Sequence, residues 1–179
     1  MNSASRRNTR AFTLMELIMV IAIILILMGL LLTAIMRGQQ FAKVGAAKAE
    51  LSSMEMGLVW YKNDFNTYPP DSSPSTISGE NLWYYLSRKI PVGEDSKGPY
   101  FTGNDKRIYS SGGPYKEFVS VLGGHFEYKL LVDSNGVPTH YVLVDPGPDK
   151  KLGGTLNSTT GFVKTGPDAD DNIIITGPN

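Results

Sequence analysis

Apolar residues run without a charge from Leu17 to Met36, twenty positions (LIMVIAIILILMGLLLTAIM) in which Thr33 is the one clearly polar group. As a helix, that stretch is about 30 Å long, the thickness of one hydrocarbon core. The period then changes. Val44, Leu51, Leu58 and Phe65 recur every seven residues with Ala47, Met54 and Tyr61 between them, while Lys43, Lys48, Glu50, Glu55 and Lys62 supply a polar face. This stripe predicts an amphipathic helix packed on a sheet, with core packing rather than ligand binding as its role. The two patterns together predict one helix from about Phe12 to Asn63. Gly29, Gly38, Gly45 and Gly57 each weaken it by about 1 kcal/mol relative to alanine and are expected to mark bends. Pro69-Pro70, after Asn66-Thr67-Tyr68, ends it, because proline cannot continue a helix and pushes the preceding residue out of the α region.

From Asp71 to Pro114 the chain is rich in Ser, Gly and Pro and reads as loop, apart from a short amphipathic helix at Asn81–Lys89. Its aromatics (Trp83, Tyr84, Tyr85, Tyr100 and Phe101) are expected to cover the sheet or a subunit contact, since no basic stripe interleaves them as in a stacking platform for nucleic acid. Strands are predicted at Gly124–Asp133 and Thr139–Val144 around a turn at Ser134-Asn135-Gly136, and a last one at Asn172–Thr176. The fold class expected is therefore α+β: a long N-terminal helix, half transmembrane and half amphipathic, on a small antiparallel sheet.

Composition narrows the chemistry. The chain has 179 residues, 17 basic and 17 acidic side chains and no cysteine. A zero net charge argues against bulk binding of nucleic acid, and the missing thiols exclude disulfides, thiolate metal sites and cysteine nucleophiles. The average conceals an asymmetry: the first eleven residues hold Arg6, Arg7 and Arg10 and no acid, and the rest is net −3. No P-loop, G-x-G-x-x-G, G-x-S-x-G or H-E-x-x-H occurs, and no enzyme is expected. His125 and His140, the two histidines, both fall in strand-like segments and are read as sheet residues. Asn157-Ser158-Thr159 matches a glycosylation sequon, a pattern that is common by chance.

A secretory signal has an apolar region of roughly 7–15 residues closed by a small-x-small site; this run is longer and lacks one, so it is expected to be retained. Glu16 sits one turn inside it, where a charge costs roughly 2.5–3.5 kcal/mol on insertion scales and is a functional hypothesis by default. The segment from Ala11 to Ile23 (AFTLMELIMVIAI), behind a short basic leader, resembles the prepilin signal of the type IV pilin and type II secretion pseudopilin superfamily, with Ala11 where that family usually has Gly. The resemblance implies cleavage between Ala11 and Phe12 by a prepilin peptidase and N-methylation of Phe12. It also implies that Glu16 pairs with the new amine of Phe12 on a neighbouring subunit, so that two buried charges are neutralised only on assembly. MEMGLVWYKNDFNTYPP is similar to the end of the pseudopilin helix. The expected organisation is a cleaved leader (1–11), a transmembrane and filament-core helix (12–36), its amphipathic continuation (37–65) and a periplasmic head (66–179). Arg37, Lys43 and Lys48 roughly balance the leader's arginines, but the leader's position predicts a cytoplasmic N-terminus.

Asp145, Asp149, Asp168, Asp170 and Asp171 lie on two Gly/Pro-rich turns (DPGPDKKLGG and GPDADDNI) that flank a loop of little apolar content. Calcium takes about six to eight oxygens at roughly 2.3–2.6 Å, and such turns let carbonyls point inward. The segments look like the calcium loop of the major pseudopilins. That likeness implies Asp145, Asp149, Asp170 and Asp171 as ligands, Asp168 as a substitute and a carbonyl from Val144, with Lys150 and Asn172 as departures. A loop of some twenty residues that cannot order itself by burial is one that a divalent ion could close. Type IV pilins often pin this region with a disulfide, so the lack of cysteine favours the pseudopilin branch.

The function expected is thus a structural subunit, most like a major pseudopilin. Its partners would be itself, prepilin peptidase, the inner-membrane secretion assembly platform and minor pseudopilins. A type IV pilus subunit is the first alternative, and a membrane-anchored periplasmic binding module is the alternative of another class.

Overall fold

A computed structural model describes residues 12–72, 78–110 and 112–177. The leader, with Arg6, Arg7, Arg10 and Ala11, lies outside the described residues. The chain divides into two compact units, Met1–Phe41 and Ala42–Asn179. One helix, α1 (Leu14–Phe65), runs through both as 52 unbroken residues. It starts two residues later than expected, at Leu14, and continues to Phe65. The glycines do not interrupt it. Gly57 has a packing reason instead, since a Cβ there would press on the Tyr100 carbonyl at 3.1 Å and on the Phe101 side chain. Asn66, at φ 57°, donates its N–H to the Lys62 carbonyl (2.7 Å) and turns the chain out of the helix in a left-handed cap.

In the first unit, the large apolar residues from Leu14 to Met36 are between 46% and 77% exposed. Among the described residues this is the one helix long and apolar enough to cross a membrane. Its length and composition are consistent with a single-pass membrane anchor.

The second unit carries a helix α2 (Ser78–Leu86), earlier than the expected Asn81–Lys89, and, among the described residues, nine short strands. These are β1 (Ile90–Val92), β2 (Asp95–Lys97), β3 (Ile108–Tyr109), β4 (Glu117–Phe118), β5 (Glu127–Val132), β6 (Pro138–Asp145), β7 (Gly154–Asn157), β8 (Gly161–Lys164) and β9 (Ile173–Thr176). The main sheet is antiparallel, in the order β5-β6-β9, with Tyr128 opposite Leu143 and Val144 opposite Ile174. The β5–β6 turn is organised by Asp133, whose Oδ1 accepts the N–H groups of Asn135 (2.8 Å) and Val137 (2.9 Å). The α+β, pilin-like arrangement expected from the sequence is the one observed.

The helical stripe is the core. Leu51, Met54, Leu58 and Tyr61 of α1 cluster with Tyr68, Leu82, Leu86, Tyr100, Phe118, Tyr128, Tyr141 and Leu143, and Trp83, Tyr85 and Phe101 pack against that cluster as cover. The Glu50 carboxylate takes both arms of the Arg107 guanidinium (2.7 and 2.8 Å) and joins α1 to the segment before β3. Two pieces read as loop form ribbons, β1–β2 and β3–β4. A third, β7–β8, lies against the back of the sheet: Val132 donates its N–H to the Ser158 carbonyl (2.9 Å), and Gly161 approaches the Val142 and Leu131 side chains. That cover explains why Val142 and Val144, on the face away from Tyr141 and Leu143, are buried as well.

The histidines sit at opposite ends of the β5–β6 ribbon, His140 paired with Leu131 and His125 just before Glu127. The Nδ1 atom of His125 is 2.7 Å from Glu117 on β4. Burial pushes the Glu117 carboxyl up from its usual range; His125 pulls it down, and Glu80 of α2 and Glu127 of β5 push it up further. A carboxyl whose folded pKa is raised contributes stability at low pH that is lost as pH rises through that value. Glu117→Gln is therefore expected to raise the melting temperature at about pH 8 and to change nothing at about pH 3.5, where Glu117 is itself protonated. Melts at the two pH values check this; an equal shift at both would rule out ionisation as the cause.

Candidate processing and assembly segment

Helix α1 begins with reciprocal hydrogen bonds. Thr13 precedes the first helical residue, and its carbonyl accepts the first helical bond, from the Leu17 N–H at 3.2 Å. The Thr13 N–H and hydroxyl both donate to Glu16 Oε2 at 2.9 Å, and the Glu16 N–H donates to Thr13 Oγ1 at 3.2 Å. This is a capping box, and T-x-x-E just before an apolar run is its sequence mark. Sequence reasoning took Glu16 for its charge and missed that it also starts the helix. The helix N-terminus, with its unpaired N–H groups and positive dipole end, favours a carboxylate there. Glu16 within one chain is thus satisfied locally by Thr13.

Phe12 lies outside the helix, immediately before the cap, and is 76% exposed. The expectation that the helix opens at about Phe12 is corrected accordingly.

The acidic residues of the C-terminal half are not gathered at one point. Asp145 ends β6, fully buried; its Oδ2 accepts the Ser120 hydroxyl in a short hydrogen bond and its Oδ1 the Gly147 N–H at 3.0 Å. Asp149 Oδ1 accepts the Lys151 N–H (2.9 Å), and the Asp149 N–H reaches Asp171 Oδ2 (3.3 Å). Asp168 pairs with Lys151 at 3.3 Å and Asp170 with Lys164 at 3.0 Å. Val144 is inside β6, between Glu127 and Ile174. Among the described residues, no three His, Cys, Asp or Glu side chains form a group able to hold a metal ion. Arranged in this way, with its carboxylates turned to N–H, hydroxyl and ammonium donors, the set does not fit the oxygen cage that calcium requires.

The family described as the prokaryotic N-terminal methylation motif matches residues 6–32. No curated protein and no solved structure matches the chain. The match spans the basic residues from Arg6 on, the capping box and most of the apolar run, and it marks residues 6–32 as a methylation motif of the prepilin type.

Proposed function

We propose that a chain bearing this methylation motif at the head of an apolar helix is a filament subunit, and specifically a type II secretion pseudopilin. Prepilin peptidase cuts it between Ala11 and Phe12 and methylates Phe12. The new N-terminus lies at the cytoplasmic side of the inner membrane and the second unit in the periplasm. Subunits polymerise through α1, with Glu16 neutralising the Phe12 amine of a neighbour, and the filament meets the inner-membrane assembly platform and minor pseudopilins. Polymerisation then helps export folded proteins. The absence of cysteine supports the secretion branch over a type IV pilus subunit, which shares the N-terminal features.

The observation that carries self-assembly, rather than anchoring alone, is a second seam on α1. Ala42, Gly45, Ala49, Ser52, Met56 and Val59 follow one another at spacings of three and four, opposite the buried stripe, and all are exposed. Within the second unit, Met56, Val59 and Trp60 are 52%, 41% and 54% exposed, and no charged residue interrupts the seam. Such a three-four repeat of small and apolar side chains suits a second helix at close approach.

The test is the mature N-terminus. Mass spectrometry of the membrane-extracted protein is expected to find a methylated Phe12 as the first residue; a chain that keeps Met1, or starts elsewhere, would make it an ordinary anchored protein and favour the periplasmic binding module. Loss of secretion, rather than of surface filaments, on deletion separates the pseudopilus from the pilus.

A further inference from the structure

The likeness to calcium-loop pseudopilins and the observed donor set disagree, and the disagreement has a positive content. Asp145, the one fully buried acid of the set, has both carboxylate oxygens occupied by protein donors. Its two oxygens join two tight turns. Oδ2 takes the hydroxyl of Ser120, itself 1% exposed, and Oδ1 takes Gly147 N–H. Ser120 anchors the first turn: its hydroxyl oxygen also accepts Leu122 N–H (3.1 Å), its carbonyl accepts Gly123 N–H (2.9 Å), and its own N–H goes to the Gly124 carbonyl (2.9 Å). Gly147, at φ 79°, packs its α-carbon against the Asp171 carbonyl, where any Cβ would collide. The Asp145 carboxylate thus welds the turn at 120–124 to the turn at 145–147, which in turn seats on residue 171.

The remainder of the segment is tied in the same manner. Asn172 Nδ2 donates to the Leu152 carbonyl (2.5 Å), Thr165 N–H to the Gly153 carbonyl (3.0 Å), and β7 and β8 pair over four residues each. Of the remaining acids that a cation would recruit, Asp168 and Asp170 meet Lys151 and Lys164, while Asp149 and Asp171 accept the N–H groups of Lys151 and Asp149. Surface pairs of this kind hold little by themselves. The anchor is the buried one, since a carboxylate deprived of a donor inside a fold leaves an unsatisfied charge.

We propose that residues 145–172 form an ion-independent clasp, in which Asp145 is a structural acid locked by Ser120 and the β7–β8 hairpin replaces a cation as the element that closes the loop. Ser120 is then the positioning residue for this segment. This inference concerns the second unit alone and stands apart from the filament reading, so its failure leaves that reading intact.

The experiment uses the full chain in detergent micelles. Trypsin has sites inside the clasp at Lys150, Lys151 and Lys164, and reference sites at Lys62 and Lys129. With EDTA or with millimolar calcium chloride as the probe, the half-lives of the clasp sites are expected to agree within about twofold. Ser120→Ala is expected to shorten them about tenfold in both conditions and to leave Lys62 and Lys129 unchanged. Asp145→Asn, which keeps one carbonyl-type acceptor, is expected to fall between. Calcium protection of the clasp sites in the wild-type chain overturns the proposal, whatever Ser120→Ala does. So does a Ser120→Ala chain cut at the wild-type rate. If Ser120→Ala exposes all sites together, the fold as a whole rests on that hydrogen bond, and the local clasp is likewise refuted.

Discussion

Glu16→Leu is expected to leave the chain in the membrane and cut at the normal bond, yet to reduce its incorporation into filaments by about a hundred- to a few thousandfold. Leucine suits the apolar run, so insertion does not suffer. In the proposed filament, however, it leaves the neighbouring Phe12 amine charged and unpaired, and breaking a buried pair by removing one partner costs about 3–5 kcal/mol, with each 1.4 kcal/mol a factor of ten. Thr13→Val separates the two duties of Glu16. It removes the hydroxyl of the capping box but keeps the carboxylate, and loss of a cap costs about 1 kcal/mol. Its effect on assembly should accordingly be severalfold, far below that of Glu16→Leu. Quantifying both variants against wild type in sheared filaments and in the membrane pool checks the prediction. Glu16→Leu at wild-type abundance in filaments would dismiss the charge pair as the register device.

Gly177→Ala is expected to lower the melting temperature of the second unit by roughly 6–12 °C. A Cβ at Gly177 would fall inside the Tyr141 ring. Neither side can yield readily. Tyr141 is fully buried in the central strand β6, edge-on to Tyr68 at 4.9 Å between ring centres, and Gly177 is held by its N–H to the Tyr141 carbonyl at 3.0 Å. Overpacking a closed site costs about 3 kcal/mol at the upper end of its usual range, and each kcal/mol moves the melt of a domain of this size by roughly 2–4 °C. Tyr141→Leu in the Gly177→Ala background should recover part of the loss, giving a coupling that a double-mutant cycle reads directly. A Gly177→Ala melt within about a degree of wild type would mean that the last strand is free to shift away from β6.

Much of this architecture was legible from period alone. An uncharged run of twenty residues followed by a seven-residue stripe leaves few options other than one helix with two environments, and Leu51, Met54, Leu58 and Tyr61 are indeed where that helix is buried. The strands of the main sheet announced themselves in the same way, because alternating apolar residues around an Asn-Gly turn have one half-buried solution. The capping box was legible too: Thr13-x-x-Glu16 is a local pattern whose partners are three residues apart. It was overlooked because the charge of Glu16 invited a longer-range reading.

The C-terminal segment was not legible. Gly154–Asn157 and Gly161–Lys164 are four residues each and show no apolar alternation, so nothing in them declares a hairpin. They become strands because the back of the β5–β6 sheet offers Val132, Val142 and Leu131 to cover. Likewise, five aspartates in two turns suggest a cation until their donors are known, and those donors come from elsewhere: Ser120 is 25 residues from Asp145, and Lys151 is 17 from Asp168.

By itself, then, the sequence determined what depends on neighbours along the chain: the long helix and its cap, the apolar length that matches a membrane, the prepilin-type signal, and the central hairpin. Tertiary structure alone decided which polar groups are spent inside the fold and which remain free, since a carboxylate's chemistry is set by whichever distant hydroxyl, N–H or ammonium group the folded chain brings within about 3 Å of it.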